Sequence, residues 1–187
     1  DATEIEEIIT MEGCTFDSCF GSNGLAMLLK ITNPPTLHNS RFINHQSGHY
    51  VISIFFTSFV DIFYFDHNEF TNNFCQFMTK IDENGDSIEG NLDKPDGGGS
   101  GIWIANQEEI ANGRPCELVF RNCVWSNNKS PSRGGAFHYG SSNTVIGTEL
   151  TFEDCIFINN TAVGYGGAVS LATYSPTVFT RCQFAFN

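Results

Sequence analysis

One nine-residue pattern returns along the chain, and no other feature restricts its folding so tightly. Three copies align without gaps: Phe120-x-x-Cys123-x-Trp125-x-x-Asn128, Phe152-x-x-Cys155-x-Phe157-x-x-Asn160 and Phe179-x-x-Cys182-x-Phe184-x-x-Asn187. Three more fit once each slot is read by chemistry: Met11-x-x-Cys14-x-Phe16-x-x-Cys19, Leu37-x-x-Ser40-x-Phe42-x-x-His45 and Phe65-x-x-Asn68-x-Phe70-x-x-Asn73. The register is large apolar, small, aromatic, then a polar turn residue. A second motif follows six residues after the Asn: Gly134-Gly135-Ala136-Phe137 after Asn128, and Gly166-Gly167-Ala168-Val169 after Asn160. Weaker echoes are Gly24-Leu25-Ala26-Met27, Gly48-His49-Tyr50-Val51 and the Gly-rich run from Gly97 into Ile102-Trp103-Ile104.

The copies start at residues 11, 37, 65, 120, 152 and 179, in steps of 26, 28, 55, 32 and 27. The step of 55 reads as one unit plus an insertion over residues 76–97, an acidic, Gly-rich loop. A unit of this length is too long for one strand, and no helical periodicity fills it. Short alternating runs such as Cys155-Ile156-Phe157 and Ala168-Val169-Ser170-Leu171 are separated by Asn and Gly pairs instead. Such units describe the coils of a parallel β-helix. The sequence therefore predicts an all-β fold, a right-handed parallel β-helix of the pectin-lyase-like kind with about six rungs and one loop insertion. Residues 1–187 form a single segment of it.

Stacking rungs about 4.8 Å apart turns each slot into a column. Phe16, Phe42, Phe70, Trp125, Phe157 and Phe184 are expected to form one buried aromatic column, and the Cys/Ser/Asn slot a second inward one. The motif Asn is expected at a corner, where it tolerates left-handed backbone and its amide bonds the copies above and below. Gly-Gly supplies positive φ at the next corner.

The remaining composition agrees. Phe and Gly reach 18 copies each while charged residues are only 16%. The formal net charge of −12 disfavours nucleic acid, whose binding begins with a cationic surface; the acidity otherwise serves solubility. The most apolar stretch, Val51 to Phe65, is interrupted by Ser53, Thr57, Ser58 and Asp61 and falls short of the ~20 residues of a membrane span. No signal-peptide pattern opens the chain, and the last motif stops at Asn187 without its Gly-Gly-Ala. A longer parent protein is the expectation.

Phe-x-x-Asn followed by Gly-Gly-Ala-apolar resembles the repeat of the polymorphic outer membrane proteins, whose autotransporter-type passenger is a β-helix. Phe157 to Asn160 with Gly166 to Val169, and Phe184 to Asn187, carry the resemblance, which is diluted before residue 75. It implies a secreted or surface-displayed adhesin-like module, on the outer membrane if bacterial, with a host-cell surface protein or glycan as partner. The fold also hosts polysaccharide-active lyases and hydrolases, and it can serve as a plain stalk; both are kept as alternatives.

Candidate sites are sparse. The seven Cys include no zinc spacing; Cys14, Cys123, Cys155 and Cys182 share one slot and read as small core residues. Asp82-x-Asn84-x-Asp86 has the oxygen spacing that opens many calcium loops, but lacks Gly at the sixth position and Glu at the twelfth. It is a calcium candidate set against a solvated acidic loop; no other cofactor is indicated. For catalysis, one outward slot holds Arg121, Glu153 and Thr180 and the next Asn122, Asp154 and Arg181, a mixed-charge surface. None of the five His lies in a recognisable catalytic motif, so no catalytic residue is assigned. Asn128-Lys129-Ser130 and Asn159-Asn160-Thr161 are glycosylation sequons that coincide with the repeat's Asn-rich corner. Residues 81–97, with six acidic residues from Asp82 to Asp96, and the adjoining Ile102-Trp103-Ile104 edge are the expected recognition surface, with the rungs as scaffold.

Overall fold

The computed structural model describes residues 9–21, 27–31, 36–47, 51–56, 62–75, 80–81, 87–88, 102–106, 117–131, 133–139, 149–171 and 176–187. They form stacked parallel ladders, and each rung visits the ladders in the same order. The first ladder takes Thr10–Glu12, Thr36–His38, Ile62–Asp66, Glu117–Arg121, Glu149–Glu153 and Thr177–Thr180. The second takes Thr15–Asp17, Arg41–Ile43, Glu69–Thr71, Val124–Ser126, Ile156–Ile158 and Gln183–Ala185. A third runs from Phe20–Gly21 through Gln46–Ser47, Phe74–Cys75 and Lys129–Ser130 to Thr161–Ala162. On the remaining side, Ile102–Asn106 pairs with Ile52–Phe56, which pairs with Met27–Ile31, while Phe137–Tyr139 pairs with Val169–Leu171.

The register follows the repeat. Phe70 lies against Phe42 and Trp125, and Phe157 against Trp125 and Phe184. The expected aromatic column is present, with ring centroids 4.9, 5.1, 5.3, 4.8 and 4.7 Å apart from Phe16 to Phe184 and every pair stacked. Its four inner rings are fully buried, whereas Phe16 is half-buried and Phe184 is 50% exposed. No described rung lies beyond either end ring, so the burial is shallower there than expected. A second column of Phe65, Phe120, Phe152 and Phe179 runs beside it at 4.7–4.8 Å steps, meeting the first edge-on. Stacked and edge-on contacts are both favourable for aromatic quadrupoles.

One backbone expectation needs correction. The motif Asn does not take the left-handed conformation; the residue before it does. Ser18, Asn44, Asn72, Asn127, Asn159 and Phe186 have φ of 53–58°. Five residues earlier, Gly13, Asn39, His67, Asn122, Asp154 and Arg181 do the same, each just before the small inward slot. Two left-handed residues per rung thus fold the chain sharply on either side of a three-residue strand. Side chains alternate along a strand, so the outward corner residue leaves the next one, the motif Asn, pointing inward.

There the Asn amide performs the expected bonding. Asn128 Oδ1 accepts from the Asn73 backbone N–H at 3.0 Å, and its Nδ2 donates to Phe70 O and to Asn160 Oδ1, both at 2.9 Å. Asn73, Asn160 and Asn187 repeat the bond to the aromatic carbonyl of the rung before, Phe42, Trp125 and Phe157. The small slot proves to be a donor slot as well: Cys123, Cys155 and Cys182 donate to Phe65 O, Phe120 O and Phe152 O at 3.3–3.4 Å, and Asn68 donates to Leu37 O at 3.0 Å. These cysteines are free thiols. Burial pushes the Cys123 thiol well above its usual range.

At the Gly-Gly corner the two glycines do different jobs. Gly134 and Gly166 have φ of 56° and 65°, where a side chain is strained. Gly135 is a close approach instead: a Cβ there would strike the carbonyl of Gly167 and the Thr161 backbone.

Candidate functional site

The first ladder presents the side of the stack with the most developed chemistry. Its inward residues are Leu37, Phe63, Phe65, Leu118, Phe120, Leu150 and Phe152, all buried. Alternation therefore turns the slot that follows the large apolar residue outward: Glu12, His38, Asp66, Arg121, Glu153 and Thr180. In the middle of this row, Asp66 joins groups from three rungs. Its Oδ2 lies 3.4 Å from His38 Nδ1, its Oδ1 lies 2.9 Å from His67 Nδ1, and Asn122 Nδ2 donates to the same Oδ1 at 3.4 Å. His67 reaches back because it occupies the left-handed corner directly after the strand.

Beside Asp66, Arg121 Nε donates to Glu153 Oε2 at 2.8 Å. The carboxylate holds the guanidinium above its already high ordinary value, so Arg121 is a fixed cation. That guanidinium also lies over the Tyr64 ring, 5.0 Å from its centroid, within cation–π range. Tyr64 is nonetheless 42% exposed. These groups line a shallow open groove of about 330 Å³, walled by Thr36 and His38 from one rung, Ile62, Phe63, Tyr64 and Asp66 from the next, and Arg121 from the third. The groove thus offers an aromatic platform, a fixed cation, one imidazole and a carboxylate.

No catalytic motif in the sequence marks this cluster, which the fold assembles from separate rungs. Both His38 and His67 touch Asp66, and His38 is 28 residues away from it in the chain, one full rung step. The signal was in the repeat: the outward slot of Arg121 and Glu153 extends back to Asp66, His38 and Glu12 once the looser rungs are aligned. The mixed-charge surface expected on the clearest rungs is present there, where Arg181 grips Asp154 through two bonds of 2.7 Å.

The other sequence candidates fare differently. Asp82, Asn84 and Asp86 lie outside the described residues; the flanking Lys80–Ile81 and Ser87–Ile88 pair antiparallel, the one such pairing among the described residues. Among the described residues no cluster of His, Cys, Asp and Glu has the make-up of a metal site, and no helix is long and apolar enough to cross a membrane. Ile102, Trp103 and Ile104, the run that follows the Gly-rich echo of the motif, pair in register with Ile52, Ser53 and Ile54 as part of a rung.

A family model described as a right-handed beta helix region matches residues 6–184. The chain belongs to the right-handed β-helix family. That match covers nearly the whole stack, including the diluted early rungs. No curated protein and no solved structure matches the chain. As a right-handed β-helix, the molecule keeps its inner columns for packing and leaves outward slots and insertions free to carry function.

Proposed function

We propose that this β-helix is a non-enzymatic recognition module displayed outside the cell, of the adhesin kind, and that it binds a saccharide in the Tyr64 groove. The observation that carries the reading is Tyr64: a large aromatic ring held exposed in mid-stack, braced by Arg121 and ringed by hydrogen-bonding groups. An aromatic face packs against the C–H face of a sugar ring, while His38, Asp66 and Thr36 suit its hydroxyls. A narrower kinship with the polymorphic outer membrane proteins is part of this proposal and rests on Phe157 to Asn160 with Gly166 to Val169.

One observation favours a second reading, a polysaccharide-active enzyme: His38, Asp66 and His67 meet beside Arg121. Binding is preferred because the charged groups are already engaged. Asp66 already accepts from Asn122 and is flanked by His38 and His67, and Arg121 is held by Glu153 as a permanently protonated cation with no site to accept a proton.

A glycan array followed by calorimetry tests the reading. Tyr64→Ala should weaken the best glycan about tenfold or more, roughly 1.4 kcal/mol, with unchanged melting. An array with no hits would sink saccharide recognition and favour a plain stalk. If the hit glycan is instead cleaved, and Asp66→Asn stops the cleavage while binding persists, the enzyme reading replaces this one.

A further inference from the structure

The two glycosylation sequons differ by one residue in register, and the fold treats them in opposite ways. Three rungs carry an Asn-Asn pair at the second corner: Asn72-Asn73, Asn127-Asn128 and Asn159-Asn160. The first Asn of each pair is exposed and left-handed, with φ of 56°, 56° and 54°. The second is in the buried ladder, at most 1% exposed. The sequon Asn128-Lys129-Ser130 begins on a second Asn, whereas Asn159-Asn160-Thr161 begins on a first.

At Asn128 both hydrogens of Nδ2 are committed, one to Phe70 O and one to Asn160 Oδ1. A sugar on that nitrogen would replace one of them and would have to fit between rungs only about 4.8 Å apart. At Asn159 the residue is exposed, and its backbone N–H is held by Ala185 O at 3.0 Å. The corner is pinned through the backbone while the side chain faces solvent. Thr161, which supplies the sequon hydroxyl, is also exposed.

We infer that Asn159 is an N-glycan acceptor, and that the Asn128 sequon is silenced by the fold, wherever the chain matures in a compartment containing an oligosaccharyltransferase. The donor is a lipid-diphosphate-linked oligosaccharide. Asn159 Nδ2 attacks its anomeric carbon, the new N–C bond forms as the C–O bond to the diphosphate breaks, and one amide proton passes to a carboxylate of the transferase. Transfer precedes folding, so the fold acts as a filter: a chain modified at Asn128 cannot close the ladder between its third and fifth rungs. The inference is independent of the groove reading, since Asn159 stands on another corner, two rungs from Tyr64.

The test is to express the full chain behind a secretion signal in a eukaryotic host. The secreted and retained pools are mapped separately, using amidase release in heavy water to mark occupied Asn. The secreted pool should carry a glycan at Asn159, lost in Asn159→Gln and Thr161→Ala, with near-ultraviolet dichroism unchanged. Ser130→Ala should leave occupancy in the secreted pool unchanged, and any Asn128 glycan should be confined to the retained pool and lost in that variant. Should no variant be secreted, the protease-resistant retained fraction is mapped and read by the same criterion. A folded chain bearing a glycan on Asn128, or a folded chain with Asn159 unoccupied, would overturn the inference.

Discussion

His45 stands in the Asn ladder and does half of an Asn's work. Its Nδ1 accepts the Cys19 backbone N–H at 3.1 Å, as each ladder Asn accepts through Oδ1. The proton must then sit on Nε2, which faces the Phe16 carbonyl side yet finds no hydrogen-bond partner, in a fully buried residue. Every ladder Asn places Nδ2 on the corresponding carbonyl at 2.9–3.0 Å. His45→Asn should supply that bond. Relieving a buried unsatisfied N–H is worth about 1–3 kcal/mol. Exchanging the ring for a smaller amide loses packing worth about 1 kcal/mol. The expected net is a stabilisation of about 1 kcal/mol at pH 7.5, or a melting point higher by about 2–4 °C for a chain of this size.

The same substitution carries a pH signature. Burial depresses the His45 pKa, against a smaller opposing effect of the Asp17 charge. The unfolded chain therefore binds the proton more readily than the folded one. The neutral His is fully accommodated above its unfolded value of about 6.5, and stability falls as pH drops below that. Asn has no such proton, so the gap between variant and parent should widen from pH 7.5 to 5. Urea titrations followed by far-ultraviolet dichroism at both pH values measure it. A variant less stable than its parent at pH 7.5, or a gap that stays constant down to pH 5, would refute the ladder account of His45.

Two further expectations address packing. Phe157→Ala removes a ring stacked between Trp125 and Phe184 and edge-on to Phe152, and should cost about 3–5 kcal/mol in the same urea titration; a loss below about 1 kcal/mol would contradict column packing. Gly135→Ala forces a methyl onto the Gly167 carbonyl and the Thr161 backbone, and should cost about 3 kcal/mol or more, seen as a large fall in melting temperature; a neutral result would mean the rungs do not meet there.

Much of the fold was legible because a solenoid makes sequence order and spatial order coincide. Once Phe120, Phe152 and Phe179 are set in register, every other slot stacks on its own copy, and the aromatic column, the Asn ladder and the Gly-Gly corner follow. The corner itself was misplaced by one residue, since Asn72-Asn73, Asn127-Asn128 and Asn159-Asn160 offer two identical side chains. Which of each pair takes the left-handed backbone depends on where the three-residue strand ends. That small difference decides which amide is buried and which sequon is exposed. The groove lay further from reach. The sequence alone placed Arg121, Glu153 and Thr180 in one outward slot; extending that slot to Glu12, His38 and Asp66 needs the looser rungs aligned, and even then a row says only that neighbours are a rung apart. Their choice of partner was decided by tertiary structure: His67 swings back from its corner onto Asp66, and Arg121 turns to Glu153 while covering Tyr64. Inward side chains have a single place to go because packing leaves no other, whereas outward ones choose among neighbours by charge and reach.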